Sequence, residues 1–134
     1  MDLLVNIDVP DRAEAERFYT RAFGLAPTRR FGETGVELGG WPVRLYLLEK
    51  AAGTTGAGAD RRRYERHWSP VHLDVAVEDL EPALARAVAA GAVLEGEVRT
   101  GAWGRIATLA DPFGHGICLV QFLGRGYDEI ATPA

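Results

Sequence analysis

The sequence predicts an α+β fold in which two βαβββ modules are paired within one chain. An alternating apolar strand runs into a helix twice, and each helix is followed by strand-like runs broken by turn residues. The two copies also keep a constant offset: Val9 and Val77 are 68 residues apart, as are Asp11 and Asp79, and Gly24 and Gly91 are 67 apart. A shift held that steadily across several landmarks marks an internal duplication.

In the first copy, Leu3 to Val9 alternates, with Leu3, Val5, Ile7 and Val9 on one face and Leu4, Asn6 and Asp8 on the other. Asp11-Arg12-Ala13-Glu14 has the form of a capping box, so a helix is expected to start there. Its stripe is Ala15, Phe18, Ala22 and Phe23; Gly24 supplies the left-handed terminus and Pro27 excludes continuation. Strands are expected around Thr28 to Phe31, Val36 to Leu38 and Val43 to Leu48, separated by Gly-rich turns. In the last of these, Arg44, Tyr46 and Leu48 share the face away from Val43, Leu45 and Leu47.

Residues 51–68 interrupt the pattern with small, glycine-rich residues and then an arginine-rich run, the composition of a linker or flap. The grammar then restarts. Val71 to Val77 alternates with His72, Asp74 and Ala76 on its polar face, an alanine-rich helix spans Leu80 to Ala90, and Gly91 closes it. Strands are expected at Val93 to Val98, Arg105 to Leu109 and Gly116 to Phe122. The resulting division is a single domain comprising module one (1–50), linker or flap (51–68), module two (69–123) and a C-terminal tail (124–134).

Composition narrows the function. A net charge of −4 argues against nucleic acid and anionic membrane surfaces as partners, because both favour basic patches. One cysteine, Cys118, precludes an internal disulfide. The first residues show neither the basic nor the apolar region of a secretory signal, and no apolar run is long enough to span a bilayer, so a cytoplasmic protein is expected.

The helix approaches Val9-Pro10-Asp11 and Val77-Glu78-Asp79, the pair Phe18-Tyr19 in the first helix and the late turn Asp111-Pro112-Phe113-Gly114 together resemble the vicinal oxygen chelate superfamily. That group includes glyoxalase I, extradiol dioxygenases, fosfomycin-modifying enzymes and bleomycin-resistance proteins. The resemblance runs from Leu3 to Phe122. It implies two facing modules around a cleft, a small-molecule ligand and a homodimer. In its metal-using members the ligands lie on the first and last strands of each module. The matching positions here are Leu4, His72 and Cys118, with Tyr46 assigned by strand alternation, and only His72 keeps the metal-binding pattern.

That departure favours a metal-independent binder of an apolar or aromatic compound. The alternatives are a metal-dependent lyase, isomerase or dioxygenase using His72, and a non-catalytic structural or regulatory module. No resident cofactor is expected under the first reading; a divalent metal is expected under the second. His72 reads either as a hydrogen-bonded histidine or as a general base oriented by Asp74. Tyr46, Trp68 and Trp103 are candidates for stacking on a ligand, and Arg44 and Arg105 for holding a carboxylate or phosphate. Cys118 is a candidate ligand contact or a buried apolar residue.

Overall fold

The computed structural model describes residues 1–134 and divides into two compact units, Met1–Glu65 and Arg66–Ala134. Each is a βαβββ module of the α+β class. The first unit contains β1 (Leu4–Val9), α1 (Arg12–Phe23), β2 (Ala26–Phe31), β3 (Gly35–Gly39) and β4 (Arg44–Glu49), with the strand order β1-β4-β3-β2. The first strand lies parallel to the last, and the other neighbours are antiparallel.

The helix begins where its cap demands. The Asp11 carboxylate accepts from the Glu14 backbone N–H at 2.8 Å, and Gly24 ends the helix in the left-handed region at φ 68°. Ala15, Phe18, Tyr19 and Ala22 of α1 are buried, as are Val36, Leu38, Leu45 and Leu47 of the sheet. These residues form the core on the helix side. Trp41 belongs to that side too, 5.5 Å from the ring of Phe23. The opposite sheet face carries Leu4, Asn6, Asp8, Arg44 and Tyr46 and has no helix of this unit over it.

The second unit repeats the arrangement with β5 (Leu73–Ala76), α2 (Leu80–Ala90), β6 (Val93–Leu94), β7 (Arg99–Gly101), β8 (Gly104–Ala110) and β9 (Gly116–Phe122). Strand β5 is parallel to β9, which pairs with β8. The start of α2 is capped from outside the helix: the Gln121 carboxamide oxygen accepts from the Leu80 backbone N–H at 3.2 Å, while its NH2 donates to the Glu78 carbonyl at 3.1 Å. Asp79 makes no side-chain cap.

Several expected boundaries change, and β2 begins two residues early, at Ala26. The run Val93 to Val98 is not one strand, because Gly96 takes φ 76° and breaks the extended backbone; β6 and β7 pair separately with opposite ends of β8. The strand expected over Val71 to Val77 is shorter at both ends. Its register on β9 begins with Leu73 opposite Ile117, and Trp68 lies against Gly116, one residue earlier. Val71 is therefore exposed and His72 precedes the strand. Leu3 likewise falls outside β1 and is exposed.

The tail is not extended. Gly126–Glu129 forms a 3-10 turn whose Tyr127 ring packs 5.4 Å from Trp103 and 4.8 Å from Phe122.

Gly104 joins the β7 and β8 hairpin arms at φ 152°, and a Cβ there would collide with the Gln121 backbone oxygen of β9. Backbone cannot yield as a side-chain tip can. Gly104→Ala is therefore expected to cost at least about 2 kcal/mol, read as a fall in melting temperature of roughly 6 °C or more. A melting temperature within a degree of the parent would contradict the packing described.

Candidate functional site

The parallel pairing of first and last strands sets an equivalent row of residues on the open face of each unit. In the first, Asn6 lies opposite Tyr46, and Tyr46 opposite Glu37. In the second, Asp74 lies opposite Cys118, and Cys118 opposite Thr108. Tyr46 and Cys118 thus hold equivalent positions, and so do Glu37 and Thr108. The outer member differs, since Arg29 pairs with Glu37 while the β6 strand stops short of Thr108.

The chemistry of the two rows has diverged. Glu37 is buried, and its carboxylate accepts from the Tyr46 hydroxyl at 2.7 Å, from the Thr28 hydroxyl at 2.5 Å and from two nitrogens of Arg29. A β-bulge between Pro27 and Arg29 lets the consecutive residues Thr28 and Arg29 both reach it. Hydrogen bonds from Arg29 first, then Thr28 and Tyr46, hold the Glu37 carboxyl at about 2, against the weaker opposing effect of burial. The same bond to Glu37 raises the Tyr46 phenol above its ordinary value. Phe31 extends the cluster, with its ring 5.9 Å from Tyr46 and the Arg29 guanidinium 5.7 Å from its centroid. Beside the row, Asp8 accepts from Arg62 at 2.6 Å, which ties the segment after β4 to β1.

The second row gathers His72, Asp74 and Cys118, whose potential ligand atoms all lie within 4.8 Å of one another. The His72 Nε2 is 3.2 Å from the Asp74 carboxylate. Cys118 is buried, with its sulfur 3.7 Å from the Thr108 hydroxyl. Burial pushes its thiol up, and the Asp74 carboxylate adds to this, while Thr108 acts in the opposite direction. Trp68 closes one side: its ring stands 4.7 Å from His72, and it occupies the space a side chain at Gly116 would need. Arg66 steadies that indole, stacked 5.7 Å from it and held by Glu95 through bonds of 2.5 and 2.6 Å.

A metal can be tested against this donor set. Imidazole, carboxylate and thiolate are all zinc donors, and three protein ligands with an open position are what a catalytic zinc site uses. The residues fit in type and number, provided that Cys118 surrenders its proton as the metal binds.

Of the side chains expected at a site, His72, Asp74, Cys118 and Trp68 come together in the second unit, and Arg44 and Tyr46 share the open face of the first. Two do not join them. Arg105 alternates onto the face covered by α2, where its guanidinium pairs with Glu81 at 2.5 Å. Trp103 packs on the tail instead. His115 is held by Asp111, whose buried carboxylate accepts from the backbone N–H groups of Phe113 and His115 at 2.8 Å each and lies 2.8 Å from the His115 ring. Glu37, Thr28, Arg29 and Phe31 were not expected from sequence. The available signal was a glutamate alternating against Val36 and Leu38 in a short strand.

Residues 4–120 match a family model described as a glyoxalase-like domain. No curated protein matches significantly. Among solved structures, the chain is similar to TioX from Micromonospora sp. ML1, with 20% identity over 92% of this chain and 99% of that one and a TM-score of 0.71. A glyoxalase/bleomycin resistance protein/dioxygenase family enzyme from Burkholderia phytofirmans PsJN gives 19%, 92%, 100% and 0.71 for the same quantities. The fosfomycin resistance protein FosX from Listeria monocytogenes gives 14%, 90%, 92% and 0.70. At these identities the likeness is one of fold.

The depressed Glu37 carboxyl links stability to pH. A carboxylate whose folded value lies below the ordinary ~4.3 stabilises the fold above that pH, and the contribution disappears as pH falls toward the folded value. The stability difference between the parent and Glu37→Gln should be full at pH 6 and shrink steadily between pH ~4.3 and about 2. Urea unfolding at a series of pH values measures it. A difference independent of pH would show that the charged form is not the one held.

Proposed function

We propose, from the premise that the chain belongs to the glyoxalase-like family of the vicinal oxygen chelate superfamily, that it binds a small apolar or aromatic molecule without a resident metal. The observation carrying this reading is the chemistry of the first unit. At the positions where metal-using relatives place ligands stand Leu4, which has no donor atom, and Tyr46, whose hydroxyl proton is engaged by Glu37 at 2.7 Å. What that face offers instead is apolar and aromatic surface from Leu4, Phe31 and Tyr46, with Leu4 and Phe31 exposed. Flat rings beside a few fixed polar groups suit a planar ligand. Trp68 and His72 supply a second such surface in the other unit. Among similar structures are a fosfomycin resistance protein and an enzyme of the glyoxalase/bleomycin resistance protein/dioxygenase family, names that agree with this class of partner. The reading includes a cytoplasmic homodimer with no nucleic-acid or membrane partner.

A second reading is favoured by one specific observation, the convergence of His72, Asp74 and Cys118. Under it these three hold a divalent metal such as zinc, and the chain is a lyase, isomerase or dioxygenase. The metal would polarise a substrate oxygen as a Lewis acid. Asp74 would orient the His72 ring, and burial of Cys118 would keep water from that side of the site.

Two measurements separate the readings. A thermal-shift screen of planar aromatic compounds against dicarbonyl and catechol compounds is expected to yield aromatic hits; a ligand at one hundred times its Kd adds about 2.7 kcal/mol of stability. Metal analysis of protein purified without chelator is expected to find less than a tenth of an equivalent. Stoichiometric metal that is lost in His72→Ala would replace the first reading with the second.

A further inference from the structure

We infer that the open face of the first unit selects an anionic ligand, specifically an aromatic monocarboxylate whose carboxylate pairs with Arg44 while its ring lies against Tyr46 and Phe31. The inference rests on the small-molecule reading of the same face and narrows its ligand class.

The charges on that face come in pairs, with one exception. Glu37 is matched by Arg29, and Asp8 by Arg62. The charged residues that alternate to the other face are also matched: Arg30 with Glu16 of α1, and Glu49 with the Arg12 backbone N–H. Arg44 is exposed and has no acidic partner within the unit. Its guanidinium reaches over β3 end-on, with Nη1 in the space that a Cβ at Gly39 would fill. Gly39 is thus the seat of Arg44. A planar, fixed guanidinium presents a fork of donors suited to a carboxylate, and holding it in place in advance lowers the entropy lost on binding.

The spacing sets the ligand's size. Arg44 and Tyr46 are alternate residues on β4, so their side chains leave one face about 6.6 Å apart, roughly the reach from a carboxylate carbon to the far edge of a fused ring. The Tyr46 hydroxyl already donates its hydrogen bond to Glu37, so what it offers a ligand is its ring. Phe31, tilted at 39° to it, provides the adjoining wall. Leu4, opposite Arg44 in the register, extends the apolar floor.

Calorimetric titration with 2-naphthoate and its neutral amide, 2-naphthamide, tests the inference. The parent is expected to bind the acid at least tenfold more tightly than the amide. Arg44→Gln should remove that preference and leave amide binding within twofold. Gly39→Ala, which leaves the charge intact but takes the guanidinium's seat, should reduce the preference by at least threefold, and Arg44→Lys should give an intermediate value. Circular dichroism melts identify any variant that loses its fold, and the parent comparison of acid and amide stands without variants. Equal affinities for acid and amide would overturn the anion inference while leaving the small-molecule reading in place, as would a preference that survives Arg44→Gln. Failure of the parent to bind either compound overturns the inference, and joined to a thermal-shift screen without hits it overturns the reading beneath it.

Discussion

Parallel pairing of the first strand with the last is the constraint on which each unit depends. A parallel neighbour cannot be reached by a tight hairpin, and in each unit the chain passes through the helix and the intervening strands before the last strand returns to lie beside the first. The helix covers one sheet face on the way and buries Val9, Leu45 and Leu47 in the first unit and Ile117 and Leu119 in the second. The other face keeps its polar residues. Pairing by this route sets Asn6 beside Tyr46 and Asp74 beside Cys118, which lie 40 and 44 positions apart in the sequence. Neither juxtaposition depends on a local turn.

Within that shared frame the two copies solve different problems. The first row buries a carboxylate and satisfies it three ways, at the cost of the donor capacity of Tyr46 and one edge of the Arg29 guanidinium. A buried charge left with fewer partners would destabilise the sheet, so the network reads as rigid scaffolding on which Phe31 and Arg44 are displayed. The second row has no such ion. Its thiol is buried beside a hydroxyl, and its histidine and aspartate lie toward solvent with Trp68 at their side. One copy offers a fixed aromatic and cationic surface, and the other offers groups that can move protons or hold a metal. The duplication preserves positions and leaves their chemistry free to differ.

Much of this was legible in the sequence. The period-two strands, the Asp11 cap and the glycines closing both helices give α1 and α2 to within a residue, because these signals are local. The repeat made Leu4 and His72 comparable, and alternation alone paired Tyr46 with the position of Cys118. The Glu37 network was not legible, since it needs the bulge that brings Thr28 and Arg29 to one face and a strand register that local residues do not set. Arg105 was misplaced for a related reason. Alternation separates two faces but does not say which one the helix covers, and Glu81 of α2 decided it. Gly96 looked like one residue within a strand, whereas its positive φ divides the run.

The central claim is that ligands are held on the open sheet faces, away from the helices. Backbone amide chemical shifts, assigned and followed while the first stabilising compound is titrated in, test it most directly. The account predicts that the largest shifts fall on the open-face row of one or both units, at Phe31, Glu37, Arg44 and Tyr46 or at His72, Asp74 and Cys118, with α1 and α2 little changed. Shifts concentrated in the helices, or in the 3-10 turn around Tyr127, would contradict it.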